Sequence, residues 1–444
     1  MDTHLRTQIF EVSTLYGAAT LAAALDAGQF GPREGIRRIL LVSNNAEVPE
    51  TALRLESMTG YGRIAARFDE VIDWNDAIRP NHPGSWGPRT DEVPLWQRAF
   101  RTAWGLGSGP VELIVESIQV NPGRALAAIF AESPVQVYAD GLMSYGPTRD
   151  ELPQQIACRI QRLLHLDLVP GLRPLLLSEF GVEPELVPDD AFRKVLAEIA
   201  GSAAEDSQVM RAVEAAPTAL LLGQYMAALG IITAEEEEDL HVRMLRGAAA
   251  AGHQSVIFKP HPTAPARYSL ALNGAAAEAG VKLTVLDGPL LAETFYERCR
   301  PQLVVGCFST AMLTASVYYG IPVARVGTEM VLERLAPYEN SNRIPLVIVD
   351  HLVPDLELGA APAVPGDAPD TLDPLVRAVG YCMQPNLHRG LRAEAVSLLD
   401  RRGDDSAAAV YFPRARLTEL DLPGGAAPGP AARLRRTLVR GKRG

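Results

Sequence analysis

Residues 253–263 read His-Gln-Ser-Val-Ile-Phe-Lys-Pro-His-Pro-Thr. The apolar, β-branched and aromatic run 255–258 has the character of a short buried strand. It stops at Lys259-Pro260-His261-Pro262, where two prolines fix φ and push their preceding residues towards extended backbone. A strand that ends this way sets a lysine and an imidazole on a stiff support at the carboxyl edge of a sheet. In open α/β sheets that edge is where ligands bind. The competing reading is a Pro-His-Pro that merely ends a strand on the surface.

Working outward, strand-like and helix-like stretches alternate on both sides. Downstream come a helix over 264–279, a strand over 282–286, a buried strand over 302–306 that opens into Cys307-Phe308-Ser309-Thr310, an Ala-rich helix from Ala311, and a strand over 322–326. Upstream, residues 218–224 form an apolar strand ending in Gly223-Gln224. The acids 235–238 read as a solvated helix start, where the macrodipole favours negative charge. In the first third of the chain, strands are expected at 8–13, 39–43, 68–73, 111–115 and 135–138, with helices over 18–27 and 124–132. Nearly uninterrupted apolar strands point to parallel sheets covered on both faces. Two such runs of alternation give two Rossmann-like domains facing a central cleft. The expected divisions are an N-terminal acceptor domain over 1–150, a helical bridge over 151–217, a C-terminal nucleotide-donor domain over 218–400, and a helix with a basic flexible tail over 401–444.

Candidate site residues cluster where these strands end. Ser13, Thr14 and Gly17 follow the first strand at a helix start, which offers free N–H groups to an anion or simply caps the helix. Asp140-Gly141 ends the strand over 135–138; it is either a placed carboxylate or a common Asp-Gly turn. Ser309-Thr310 makes a helix-start cradle suited to phosphate, with His261 and Lys259 on a neighbouring strand end. The stretch 74–89, with Trp74, His82 and Trp86 among prolines and glycines, is a long irregular loop whose aromatics would either stack on a sugar or pack inward. GxGxxG, GxxxxGKS, GxSxG and HExxH do not occur.

Composition narrows the function classes. With 444 residues, 47% hydrophobic and 21% charged, the chain is ordinary globular protein. A net charge of −11 argues against a nucleic-acid partner, whose binding needs a basic footprint. The four cysteines, Cys158, Cys299, Cys307 and Cys382, are scattered and read as thiols in a reducing compartment. No basic-then-apolar leader opens the chain, and no apolar stretch approaches the ~20 residues that span a bilayer. A cytoplasmic protein is expected. The tail beyond Pro423, with Arg433, Arg435, Arg436, Arg440, Lys442 and Arg443, would either touch anionic lipid at the inner membrane face or stay solvated.

Taken together, Asp140-Gly141, Lys259-Pro260-His261-Pro262 and Ser309-Thr310 resemble the acidic, His-Pro and serine motifs of bacterial sialyltransferases. Their order and spacing look most like the polysialyltransferase family, and residues 8–24 look like its actinobacterial members. The resemblance runs over about residues 7–400. It implies a GT-B fold, CMP-sialic acid or a related CMP-sugar as donor, a glycan or lipid-linked glycan acceptor, inversion at the anomeric carbon, and neither cofactor nor metal. On that template His261 binds the donor phosphate and acts as acid. Gly223, Gln224, Lys259, Pro262, Glu293, Ser309 and Thr310 surround the donor, and Ser13, Tyr16, Gly17 and Gly141 line the acceptor side. The chain departs from the family at Ala139, where the usual base would stand. Asp140, Glu116 or His82 would then take that role, or the chain would bind without transferring. A CDP-glycerol-dependent glycerophosphotransferase and a non-catalytic glycan- or nucleotide-binding protein of cell-surface polysaccharide assembly are the other readings.

Overall fold

The computed structural model describes residues 6–261, 268–402 and 409–426. Pro262 and the basic tail residues lie outside them.

Seven strands make the first sheet: β1 (Arg6–Val12), β2 (Ile36–Val42), β3 (Glu70–Asp73), β4 (Val111–Val115), β5 (Val135–Ala139), β6 (Ile160–His165) and β7 (Pro184–Leu186). Their order is β3-β2-β1-β4-β5-β6-β7, parallel throughout. Five strands make the second: β8 (Ala219–Leu222), β9 (Ser255–Lys259), β10 (Lys282–Val285), β11 (Leu303–Gly306) and β12 (Val323–Arg325). Their order is β10-β9-β8-β11-β12, again parallel. The expected pair of parallel-sheet α/β domains is therefore present. β4, β8 and β11 are buried at every position, as strands covered by helices on both faces must be; the one charge among them, Glu112 on β4, is paired with Arg6 and Gln8.

In each sheet the strand order reverses once, between β1 and β4 and between β8 and β11. Neighbouring loops leave in opposite directions at such a point and open a crevice at the strands' carboxyl ends. The two edges meet: the Tyr16 and Thr314 hydroxyls lie 2.8 Å apart, and the Leu142 N–H reaches the Thr310 Oγ1 at 3.4 Å.

One sequence-based expectation changes and one open alternative is decided. The segment 151–217 is not a helical bridge throughout, because β6 and β7 extend the first sheet; its helices are the single turn Gln154–Ala157 before β6 and Asp189–Ser202 and Ser207–Ala215 after β7. β6 carries Arg162, which hydrogen-bonds Gln136 and Glu185 on the flanking strands, so its polar face hid it. Likewise, the tryptophans of 74–89 pack inward. Trp74 is fully buried, with ring centroids 5.8 Å from Trp86, 5.5 Å from Phe100 and 6.4 Å from Trp104. The apolar area of Trp74 is spent on this cluster, and the half-buried Trp86 packs against it. Trp74→Ala should cost about 3–5 kcal/mol of stability, read as a lower urea midpoint with an unchanged slope; a loss below about 1 kcal/mol would mean that the cluster is not core.

The chain then recrosses the molecule. Helix Leu372–Met383 packs so closely that a Cβ on Gly380 would lie 2.7 Å from Leu175 Cδ1, and the Gln384 amide donates to the Arg149 carbonyl at 2.6 Å. This strap ties the helical end of the second domain to the first. Among the described residues no helix is long and apolar enough to cross a membrane.

Candidate active site

The first sheet delivers carboxylates and hydroxyls to its reversal point. Just past β1, Ser13 donates both its N–H (3.0 Å) and its hydroxyl (2.6 Å) to Glu116 Oε2, just past β4. The Glu116 N–H in turn donates to Glu11 Oε2 at 2.9 Å. Asp140 follows β5, the next strand, and Thr14 Oγ1 reaches its Oδ2 at 3.5 Å. Thr14 also caps helix Leu15–Asp26, accepting from the Gly17 N–H. Gly17 fits tightly here: a Cβ would sit 3.1 Å from the Asp140 Oδ2 and 3.2 Å from the Tyr138 hydroxyl, so its neighbours would have to give way. A helix start and a carboxylate thus meet at contact distance.

Three acids in one corner cannot all ionise cheaply. Desolvation raises the pKa of Asp140, of Glu116 and of Glu11; Asp140's charge adds to the shift at Glu116, and Glu116's to that at Glu11. The Ser13 and Thr14 bonds oppose the shift at Glu116 and Asp140 respectively. One corner therefore holds a mixture of protonated and ionised carboxyls near neutral pH.

The second sheet delivers donors. The segment 223–225 after β8 lies between the ends of β9 and β11 and touches both. Its Gln224 Oε1 accepts the Phe308 N–H at 2.9 Å, and its Tyr225 ring stacks on His261 with centroids 5.5 Å apart and planes 7° from parallel. Gly223 must be glycine, since a Cβ would come 2.9 Å from the Phe258 ring and 3.0 Å from the Pro260 Cα. Ser309 caps helix Thr310–Tyr319 by accepting from the Ala311 N–H. His261 and Ser309, 48 positions apart, thus stand on one edge, linked through the same three residues.

Solvent reaches the His261 ring, yet desolvation by the surrounding protein and then the Lys259 ammonium hold its pKa below the usual value. Lys259 is buried and donates to the carbonyls of Pro260 (3.3 Å) and Gly288 (3.2 Å). It therefore keeps one N–H at most for a ligand, and its pKa falls to about 8 through desolvation. Glu293, also buried, has an Oε1 with no hydrogen-bond partner among the described residues and a pKa raised by desolvation to about 7.

The domains close on each other through Gly141 and Thr310. A Cβ on Gly141 would meet Thr310 Oγ1 at 3.1 Å, so the acidic loop of one sheet abuts the helix-start turn of the other. Tyr16 is held in this seam by Thr314, with its ring 5.3 Å from Phe192. His82 does not face this corner: its Nε2 meets the Ala46 carbonyl at 2.8 Å and its Nδ1 accepts from the Gly84 N–H at 3.1 Å, beyond the end of β2. Sequence reasoning missed Tyr225 and Glu237. Glu237 was read as part of a solvated helix start, but it is buried and accepts the Met226 and Ala227 N–H groups at 2.7 and 3.2 Å, ordering the loop that carries Tyr225. Only the Thr233–Glu236 capping box beside it was legible as a helix start.

A family model described as Alpha-2,8-polysialyltransferase (POLYST) matches residues 8–328. Comparison with curated proteins finds no match. Among solved structures, the chain is similar to the GT-B domain of the sialyltransferase from Photobacterium damselae, with 12% identity over 78% of this chain and 96% of that one and a TM-score of 0.41. It is similar to MurG of Acinetobacter baumannii at 11% identity, covering 91% and 98% of the two chains, with a TM-score of 0.40. For the MnaA–UDP structure from S. aureus the figures are 10%, 85% and 96%, and 0.39.

Proposed function

Because the chain belongs to the alpha-2,8-polysialyltransferase family, we propose that it transfers sialic acid, or a related acidic nine-carbon sugar, from a CMP-sugar to a glycan acceptor by single displacement. The acceptor hydroxyl attacks the anomeric carbon, Asp140 takes its proton, and the bond to the CMP phosphate breaks with inversion. His261 supplies a proton or hydrogen bond to the departing phosphate. The N–H groups at the start of helix Thr310–Tyr319, with the Ser309 and Thr310 hydroxyls, carry the rest of its charge. Neither a metal nor another cofactor has a role in this scheme.

The observation that supports the reading most is the meeting of the Asp140-Gly141 loop with the Thr310 turn, from opposite sheets, where the Leu142 N–H reaches the Thr310 Oγ1 at 3.4 Å. A base and a phosphate cradle on facing edges give a donor and an acceptor one place to react. Ser13, Gly17 and Gly141 then border the acceptor, while Gly223, Gln224 and the Glu293 carboxyl face the nucleotide side. Lys259 acts by bracing the β9 turn, and Tyr16 by holding the seam.

Calorimetric titration with CMP, UMP and CDP-glycerol tests the assignment. CMP should bind at least about tenfold more tightly than UMP, since a site built for a hydrogen-bonding group rejects analogues that leave its polar atoms unpaired. CMP-sugar turnover should be unchanged in EDTA. Equal binding of UMP, or release of CMP from CDP-glycerol alone, would remove the CMP-sugar reading.

A further inference from the structure

The loop that carries Asp140 runs on to Arg149, and there it reaches a second cavity. About 300 Å³ opens where Arg149 meets Leu229 and Ile231, from the loop carrying Tyr225, and the turn Asn340, Ser341 and Asn342. The volume is at the lower end of what small ligands occupy. The Arg149 backbone is pinned at both ends: its N–H donates to Gln119 Oε1 and its carbonyl accepts from Gln384 Nε2. Its guanidinium, by contrast, makes no hydrogen bond or ion pair among the described residues; partial burial disfavours its charge, and the exposed Asp150 carboxylate offsets part of that cost.

Its surroundings are those of an anion receptor. Asn340 Oδ1 accepts the Asn342 N–H at 3.0 Å, which stiffens the turn. Glu339, the other charge at the cavity, is matched by Arg416 at 2.6 Å, so it does not compete for Arg149. Leu229 is 63% exposed beside these polar groups, an apolar face next to a cation. A planar guanidinium with its main chain fixed grips a carboxylate through two parallel N–H bonds, which a lysine cannot do.

We propose that this cavity is an acceptor subsite in which Arg149 holds the carboxylate of an acidic sugar of the acceptor glycan, with the Asn340–Asn342 turn taking its hydroxyls and Leu229 its apolar side. The proposal rests on the glycosyltransferase reading for the direction from which the acceptor enters. The donor sugar also carries a carboxylate, so the experiment separates the two sources.

Binding of the methyl glycoside of sialic acid and of its methyl ester is measured by saturation-transfer NMR and calorimetry on the full chain, for the native protein, Arg149→Gln and Arg149→Lys. The native protein should prefer the free acid. Arg149→Gln should weaken the acid by about tenfold or more, as loss of a charged hydrogen-bonding partner does, and leave the ester unchanged. Arg149→Lys should recover part of the loss. In turnover, Arg149→Gln should raise the acceptor KM and leave the CMP-sugar KM alone. Equal binding of acid and ester by the native protein would overturn the subsite, as would a shift confined to the donor KM. The binding arm needs no transfer, so it stands or falls apart from the CMP-sugar assignment.

Discussion

Asp140→Asn should lower kcat for sugar transfer by about 10²–10⁴-fold, the range a positioned general base contributes, and leave CMP affinity unchanged. The amide keeps the size of the side chain and the Thr14 contact but cannot accept a proton. CMP affinity is spared because the residue stands on the first sheet, whereas the proposed nucleotide contacts stand on the second. The pH profile sharpens the test. Burial raises the Asp140 pKa, so the rate should rise with pH above the value near 3.9 of an ordinary aspartate. The sign follows from the role, since a base works only when ionised. Glu116 ionises within reach of Asp140's charge and makes the native profile a two-step curve belonging to the pair. Glu116→Gln should collapse it to one step while retaining most of the maximal rate. If Glu116→Gln loses the rate and Asp140→Asn keeps it, the base is Glu116, reached from β4 and held by Ser13.

That ambiguity shows how much of the site could be seen without coordinates. The strand ends at 140, 259 and 306 were legible because parallel strands between helices are apolar on both faces and stop abruptly. His261 and Ser309 could be put on one edge, since alternating βα units place every strand's carboxyl end on the same side. Glu116 was different. It was named as an alternative base, but its place beside Ser13 and Asp140 comes from β4 lying between β1 and β5, a non-local fact. Tyr225 was hidden for the same reason, since its partner His261 is 36 positions away. The break expected at residue 150 failed because β6 carries polar residues and β7 is only 3 residues long. Composition left the tryptophan loop open between a sugar platform and inward packing, and the burial of Trp74 among other aromatic rings decides for inward packing.

His261→Ala should reduce release of CMP from the CMP-sugar by about 10²–10⁴-fold with every acceptor, and it should also change the proton balance of CMP binding. In the free protein the ring's pKa lies below its ordinary value, so it is neutral at pH 7. A phosphate brought against it is a negative charge at short range, which favours the imidazolium and raises that pKa. Between the two values, binding takes up a proton, and CMP affinity falls as pH rises through the value in the complex. Calorimetry in buffers of different ionisation enthalpy counts that proton directly. Lys259 and Glu293 titrate near neutrality in the same half, with pKa values of about 8 and about 7, so both are rival sources of uptake. His261→Ala separates them, because uptake that survives the substitution belongs to one of those two. Tyr225→Ala should have a smaller effect, leaving the ring in place but unsupported on its stacked face. Undiminished turnover in His261→Ala would mean that the imidazole ends a strand and does no more, and the phosphate site would then have to be sought at the Ser309 turn alone.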